Sequence, residues 1–503
     1  MTTTTAPSLP PMTAGRRKLC FALCLVTIIV ALLDMNIVSA ASVPIVRDLD
    51  PVNGVNRLPW LITAYSLAAT ATLPLYGKLC DLYGAKRVYL GSVGTFLVGS
   101  MLCGAAQSMG QLIAFRALQG AGGGGLMSVT MVVLAQLMEP GEEEKGGGVG
   151  GIVGGAAMAV GPLVGALFAD DLNWRWIFYV NVPLGLAVLV GSALMLKLPA
   201  GSGGRRIDFL GAGLAAGFTT VVLLVSDWGG DKYAWSSPVV LGLIAGAVAA
   251  LVLFVWRQRT AAEPILPLSL FRVPALRTGF VVQFLVGVSL MGSVVYMMVY
   301  LQTARALSAI DASLFLIPMA FGMTVSGIVV SKLTDRGWRA RTFLVSGSAC
   351  AAVAMGLLAL TSADTSLWVL RAELLLLGVG FGQMVGQLIM VVQVSSPEHQ
   401  LGVATTALRF FQTVGNAVGA SVFGALLTHR FAADAPGVPL SGIARLTGEQ
   451  HSHAVSVFVD ATDLIFVTAA VIMVLAVLAL LRLRAAASPT APSAPSAAVP
   501  ADA

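Results

Sequence analysis

Apolar residues gather into fourteen long runs, and polar residues gather into the stretches between them. The runs cover about 19–46, 58–77, 87–106, 111–137, 147–169, 175–197, 208–226, 238–256, 277–303, 309–331, 342–361, 368–394, 402–428 and 461–482. About 20 apolar residues in a helix cross the hydrocarbon core of a bilayer. The pattern predicts an all-α membrane protein with fourteen transmembrane helices.

Basic residues orient the spans. With the first residues inside, Arg47, Arg57, Arg175, Lys232, Arg305, Arg430 and Arg445 fall outside. Arg116, Arg371 and Arg409 lie in or at the edge of a run, and the rest of the 30 lysines and arginines fall inside. That bias follows the positive-inside rule. A missed span would swap the sides of every later loop and erase it. Both termini are expected in the cytoplasm.

Composition narrows the class. Hydrophobic residues make up 57% and charged residues 11%, against about a quarter charged in soluble domains. The net charge of +6 sits in short loops beside apolar runs, which suits anionic lipid rather than nucleic acid. Cys20, Cys24, Cys80, Cys103 and Cys350 lie in or beside the runs, with no disulfide or metal spacing. The chain has no G-x-x-x-x-G-K-[ST] and no H-E-x-x-H, which disfavours ATP as fuel and metal-dependent hydrolysis. It shows no filter loop or pore-lining ring, which disfavours a channel. Arg far outnumbers Lys, and Ala and Gly abound, a usage typical of GC-rich bacterial coding DNA.

One stretch repeats. Gly77 to Arg87, GKLCDLYGAKR, lies between two apolar runs, and so does Ser331 to Arg341, SKLTDRGWRAR. The copies align without a gap at an offset of 254 (332 − 78), pairing Lys78 with Lys332, Asp81 with Asp335 and Arg87 with Arg341. Ser331 stands for the first glycine and Trp338 for the second, Gly84. Two copies half a chain apart imply two related halves. The expected organisation is an inner tail (1–18), a six-helix bundle (19–200), a central two-helix insertion (201–260), a second six-helix bundle (261–484) and a disordered Ala/Pro/Ser tail (485–503).

Asp34 and Arg116 carry the clearest chemistry. Asp34 lies within the first run. An acid at membrane depth is costly as an anion, and one that switches between charged and neutral forms can exchange a proton for a substrate. Arg116 lies in the fourth run, cannot shed its charge, and must face a carboxylate or a wet cavity. Asn36, Tyr65, Gln119, Met291, Tyr296, Tyr300, Gln387 and Arg409 are candidate cavity residues, mixing amide, aromatic, thioether and cationic groups. Arg409, Arg371 and Glu373 are expected to form interhelical pairs.

The loop at Gly77, Leu79, Asp81, Gly84, Lys86 and Arg87 resembles the signature G-x-L-a-D-r-x-G-r-k of the major facilitator superfamily. LLDMNIV around Asp34 and LIAFRALQG around Arg116 resemble the first-helix and fourth-helix motifs of its drug exporters. Gly155, Gly161, Pro162 and Gly165 resemble the antiporter signature g-x5-G-P-x-x-G-G, with Ala166 for the last glycine. WRWIFYVNVPLG, Trp174 to Gly185, is similar to the W-R-W-i-F-x-x-N-v-P-x-G signature of the 14-helix drug:proton antiporters.

The resemblance implies a major facilitator fold of 6 + 2 + 6 helices in a bacterial cytoplasmic membrane. It implies export of amphipathic organic compounds, drugs or antibiotics, by a monomer fuelled by protons, with no metal or organic cofactor. Asp34 and Arg116 would couple the proton. The loop residues Gly77, Asp81, Gly84, Lys86 and Arg87, with Asp335 and Arg341, would gate the inner side together with the Gly-Pro segment. The alternative is a dedicated exporter of an endogenous metabolite or lipid.

Overall fold

A computed structural model describes residues 13–40, 45, 48–50, 54–137, 173–199, 201, 207–230, 232–362, 364–436, 438, 443 and 446–482. The run at 147–169, with Gly155, Gly161, Pro162 and Gly165, lies outside them, as do residues 1–12 and 483–503. The other thirteen runs each fall on helix. They are α1 (Ala14–Ala40), α2 (Gly54–Tyr83), α3 (Ala85–Gly104), α4 (Met109–Leu137), the short α5 (Trp176–Tyr179) continued by α6 (Asn181–Met195), α7 (Phe209–Trp228) and α8 (Pro238–Thr260). After these come α9 (Pro274–Thr303), the short α10 (Ala309–Leu314) continued by α11 (Ile317–Thr334), α12 (Ala340–Leu358), α13 (Leu367–Val394), α14 (Leu401–Asp434) and α15 (Gly448–Leu481). Ten of these spans among the described residues meet both the length and the apolarity that a membrane crossing requires, with α5 and α6 counted as one.

Sequence sets the breaks and ends. Pro183 cannot donate to the carbonyl of Tyr179, where α5 stops, and Pro318 stands in the same relation to Leu314, where α10 stops. Asp208 caps α7 by accepting from the Gly211 amide at 3.0 Å, and Arg257 of α8 donates to the same carboxylate at 3.0 Å. That pair ties the two central helices together where α7 begins and α8 nears its end.

The repeat is written in glycine contacts. A Cβ on Gly120 or Gly124 of α4 would lie 2.2 or 2.3 Å from the carbonyls of Tyr65 and Ala69 on α2, and one on Gly122 would lie 2.3 Å from the Phe96 amide of α3. In the second half, a Cβ on Gly378 or Gly382 of α13 would lie 2.0 or 2.5 Å from the carbonyls of Met319 and Met323 on α11, and one on Gly380 would lie 2.7 Å from the Ala351 amide of α12. The fourth helices correspond at an offset of 258 (378 − 120), while the second helices keep 254 (319 − 65). In lipid, helices gain little from burying apolar side chains against each other, so close approach at small residues holds them.

The repeated loop slips by one residue at its turn. Gly84 takes φ +86° and Gly337 takes φ +85°. Gly337 therefore fills the role that the ungapped alignment gave to Trp338. Trp338 N–H bonds the Leu333 carbonyl at 3.2 Å and Gly337 N–H bonds Thr334 at 2.8 Å, a glycine-terminated helix end that only a residue without Cβ adopts at low cost.

The two bundles meet along α2 and α14, with α7 packed beside both. The central pair is peripheral: only 22% of the most apolar window of α7 and 17% of that of α8 is buried, against 72% for α4. This contrast yields a prediction. Gly378→Val forces Cβ into a backbone carbonyl that cannot give way, and should cost about 1–3 kcal/mol or more. Val252→Ala on the exposed side of α8 should stay within about 0.5 kcal/mol. Melting temperatures of the purified variants in one detergent check both; equal losses would contradict the assignment of α8 to the periphery.

Candidate functional site

Asp34 and Arg116 form one site. Arg116 Nη1 donates to Asp34 Oδ2 at 2.7 Å, with both side chains at most 1% exposed. Gln119 Nε2 and Asn181 Nδ2 donate to Oδ1 at 2.7 and 2.9 Å. Every one of these contacts gives a hydrogen to the carboxylate, a donor set that suits the anion. Arg116 is held in turn: its Nε donates to the Leu61 carbonyl at 3.2 Å, Nη1 also reaches Gln119 Oε1 at 2.8 Å, and Tyr65 lies under the guanidinium at 4.2 Å. Ser100 Oγ accepts from Gln119 and Asn181, both at 3.2 Å, and donates to the Phe178 carbonyl at 2.8 Å.

Six elements, α1 to α6, deliver these groups. Arg116 sits two turns into α4, about 10 Å from its outer end at 1.5 Å per residue. Gly99 of α3, whose Cβ would lie 2.5 Å from Gln119 Cα, lets α3 come close enough for Ser100 to join. Asn181 opens α6 after the proline break. The segment before it is stapled outside the membrane, where Arg175 Nη1 and Trp174 Nε1 donate to Asp48 Oδ2 at 2.6 and 3.0 Å. The Arg175 hydrogen bond, then that of Trp174, holds the Asp48 carboxyl below the usual carboxylate range. The folded value lies below the unfolded one of about 3.9, so the staple's contribution is present above that pH and fades as the pH falls further.

A second constellation joins the two halves at the end the basic residues place inside. Asp81 Oδ1 and Oδ2 accept from the amides of Gly402 and Val403, at 2.8 and 3.1 Å, in the first turn of α14. A carboxylate there satisfies orphan amides and the positive end of the helix dipole. A Cβ on Gly77 would lie 2.0 Å from Thr406 Oγ1, and one on Gly402 would lie 2.7 Å from the Gly77 carbonyl. Lys78, nearly buried, pairs with Glu263 at 2.7 Å in the segment after α8. Basic residues cap helix ends within each half: Lys86 Nζ donates to the Ala193 carbonyl of α6 at 2.8 Å, and Arg341 Nη2 to the Leu481 carbonyl of α15 at 2.7 Å. Arg87 and Asp335 are exposed. By the repeat, the helix end matching Asp335 belongs to the run at 147–169, outside the described residues.

Most cavity candidates pack inside a bundle. Tyr65, Gln119, Tyr296, Tyr300 and Gln387 are buried. Tyr296 and Tyr300 hydroxyls donate to the carbonyls of Ala420 and Ser362 at 3.2 and 2.9 Å, and Gln387 Nε2 donates to Thr334 at 3.3 Å. Met291 and Arg409 are half-buried, and the Asn36 side chain lies outside what is described. Arg371 and Glu373 do not pair: Arg371 lies over Phe315 and Trp368 at 4.5 and 4.6 Å, while Glu373 keeps a buried Oε2 without a hydrogen-bond partner among the described residues. Asn181 and Ser100 join the Asp34 site without having been singled out. Asn181 carried a signal, as the asparagine of the WRWIFYVNVPLG stretch; Ser100 carried none.

A family model described as Major Facilitator Superfamily matches residues 23–208 and 204–420. An MFS-type transporter of Mycobacterium tuberculosis is 36% identical over 431 residues; the alignment takes in 85% of this chain and 62% of the relative, so the chain spans under two thirds of that relative's length. The multidrug transporter protein MdtP of Bacillus subtilis is 33% identical, covering 79% of this chain and 73% of MdtP. The tetracenomycin C resistance and export protein of Streptomyces glaucescens is 30% identical over 80% of this chain and 75% of its own. The crystal structure of human MFSD10 (TETRAN), titled an organic anion transporter, superposes with a TM-score of 0.65 over 94% of this chain and 100% of that one; at 15% identity the likeness is one of fold alone.

The buried pair has a stability signature. Removing one partner strands a charge, so Arg116→Met should cost about 3–5 kcal/mol. Replacing both by apolar groups of similar volume removes the stranded charge, so Asp34→Leu combined with Arg116→Met should recover most of that loss. Thermal unfolding of the single and double variants checks this; a double variant as unstable as the single one would contradict the pairing.

Proposed function

The chain belongs to the major facilitator superfamily, and on that premise we propose that it is a proton-coupled antiporter with fourteen spans that exports amphipathic organic compounds from a bacterial cytoplasm. The observation that carries the reading is Asp34 held between Arg116, Gln119 and Asn181 with no exposed side-chain surface. Protonating Asp34 removes half of that ion pair and frees Arg116 from its partner, so the two protonation states favour different arrangements of α1, α4 and α6. A ligand shifts a conformational equilibrium only through such a difference. The contact of Asp81 with α14 supplies the moving part. It joins the halves at the inner end, and the site lies in the outer part of the first half, so the proton and the gate occupy different places and communicate through rigid helices.

The names of the Bacillus and Streptomyces relatives support drug or antibiotic export as the activity. The positive-inside bias supports a cytoplasmic location for both termini, and nothing in the mechanism requires a second copy, a metal or an organic cofactor.

Two experiments test the reading. Asp34→Asn keeps the size of the side chain and removes its proton chemistry. Gradient-driven efflux in everted vesicles should fall to the level seen when a protonophore collapses the gradient, while the variant still inserts and binds dye. Efflux at the wild-type rate would sink proton coupling through Asp34. Asp81→Ala leaves two amides of α14 uncapped. It should shift the halves toward the inward-open state, read as increased labelling of a cysteine placed near Thr406 by a membrane-impermeant maleimide in everted vesicles. Unchanged labelling would count against a gate at Asp81.

A further inference from the structure

Three arginines lie within or at the edge of an apolar run, and two have an evident counterweight. Arg116 faces Asp34, and Arg371 lies over two aromatic rings near the outer end of α13. Arg409 of α14 has neither. Its Nη1 donates to Gln412 Oε1 at 2.5 Å, a neutral amide on its own helix. Among the described residues no carboxylate lies within ion-pair distance of it. The run at 147–169 holds no Asp or Glu in its sequence, so that span has no carboxylate to offer either.

The placement of Arg409 follows from α14. Gly402, Thr406, Arg409 and Thr413 recur at helical spacing on one face. Gly402 and Thr406 on that face touch Gly77 of the first half. Further along the helix, about 12 Å from Leu401 at 1.5 Å per residue, the same face brings Arg409 toward the first half. Leu408 and Phe410 beside it are buried, yet Arg409 keeps part of its surface exposed. Its side chain therefore stays partly accessible on the face of α14 that carries Gly402 and Thr406. One turn toward the cytoplasm, Thr405 is 4% exposed and its hydroxyl has no hydrogen-bond partner among the described residues. Thr406 and Thr413 differ, since each donates to a carbonyl of its own helix.

We infer that Arg409, assisted by Thr405, is the anchor for an anionic group on the exported compound, so that the substrates are organic acids carrying a carboxylate or a comparable delocalised anion. This rests on the exporter reading and names its substrate class. A guanidinium keeps its charge at any physiological pH, and its planar fork matches a carboxylate with two parallel hydrogen bonds. A cation left without a partner between membrane helices is costly, and an incoming anion removes that cost. The same residue discriminates against esters, which offer no charge, and against cations, which it repels.

The test is binding to the purified full-length protein in lipid nanodiscs, with naphthalene and anthracene carboxylic acids and their methyl esters. The wild type should bind the acids at least ~10-fold more tightly than the matched esters, in line with a charge-assisted bidentate contact. Arg409→Gln should bring the ratio to about one, Arg409→Lys should keep part of it, and Thr405→Val should lower it by a factor of a few. The acid-to-ester ratio of the wild type needs no variant, so misfolding of Arg409→Gln does not shield the inference. Esters bound as tightly as acids, no acid bound at all, or an acid preference that survives Arg409→Gln would each overturn it. Efflux in everted vesicles separates the two readings. Export of neutral or cationic drugs at rates independent of Arg409 overturns the acid inference and leaves the exporter standing; no gradient-driven export of any compound overturns the exporter itself.

Discussion

Backbone contact at glycine is the constraint on which the rest of this structure depends. A bilayer is as apolar as leucine, so apolar side chains alone give two membrane helices little reason to choose one geometry. Glycine lets the chains approach until backbone meets backbone. Gly120 and Gly124 seat α4 on α2, which brings the Leu61 carbonyl and the Tyr65 ring to Arg116. Gly99 seats α3 on α4 beside Gln119, which brings in Ser100. Gly77 and Gly402 seat α2 on α14, which carries Asp81 to the helix end of the other half. Each functional group reaches its partner because a side chain is missing nearby.

The frame is shared by both halves and the chemistry is not. At the structural offset of 258, Arg116 corresponds to Leu374 and Gln119 to Leu377. Both leucines are fully buried. The second half keeps the three glycines of the fourth helix and replaces the charge site with apolar packing. A buried ion pair is expensive to assemble and tolerable only when every lone pair and proton is satisfied. The first half meets that condition with two amides, a hydroxyl and a carbonyl. Losing the charges together costs little, so a duplicated bundle can hold its shape in one copy while the other keeps the charge pair.

The helices were legible because apolar runs of the right length admit few other readings, and the two halves were legible because the repeated loop kept its lysine, aspartate and arginine. Asp34 and Arg116 stood out as charges in apolar runs. Their pairing did not, since a contact between positions 82 residues apart leaves no trace in periodicity. Ser100 was hidden because serine in a membrane helix commonly bonds its own backbone, as Ser128 and Ser348 do here. Tyr296, Tyr300 and Gln387 read as cavity residues by their chemistry, yet these helices are apolar all round and give no sign of which face meets a neighbour. Arg371 and Glu373 were expected to form ion pairs with other helices; Arg371 instead lies over the Phe315 and Trp368 rings, and Glu373 Oε2 has no hydrogen-bond partner among the described residues. The turn of the second loop was misread by one residue, because the alignment favoured the charged positions over the glycine that ends the helix.

The junction between the two bundles at Asp81 is weak. A capping carboxylate contributes about 0.5–2 kcal/mol. A partly exposed ion pair such as Lys78 with Glu263 adds at most about 1 kcal/mol. When the halves separate, water can take over the amides of Gly402 and Val403 and solvate both charges, so opening forfeits a difference rather than whole hydrogen bonds. An elementary charge crossing the membrane gains about 2.3 kcal/mol for every 100 mV. These quantities are of one size. A fully buried charge pair at this junction would exceed them. The chain places its expensive interaction, Asp34 with Arg116, inside the first bundle and joins the two bundles with contacts that cost little to separate.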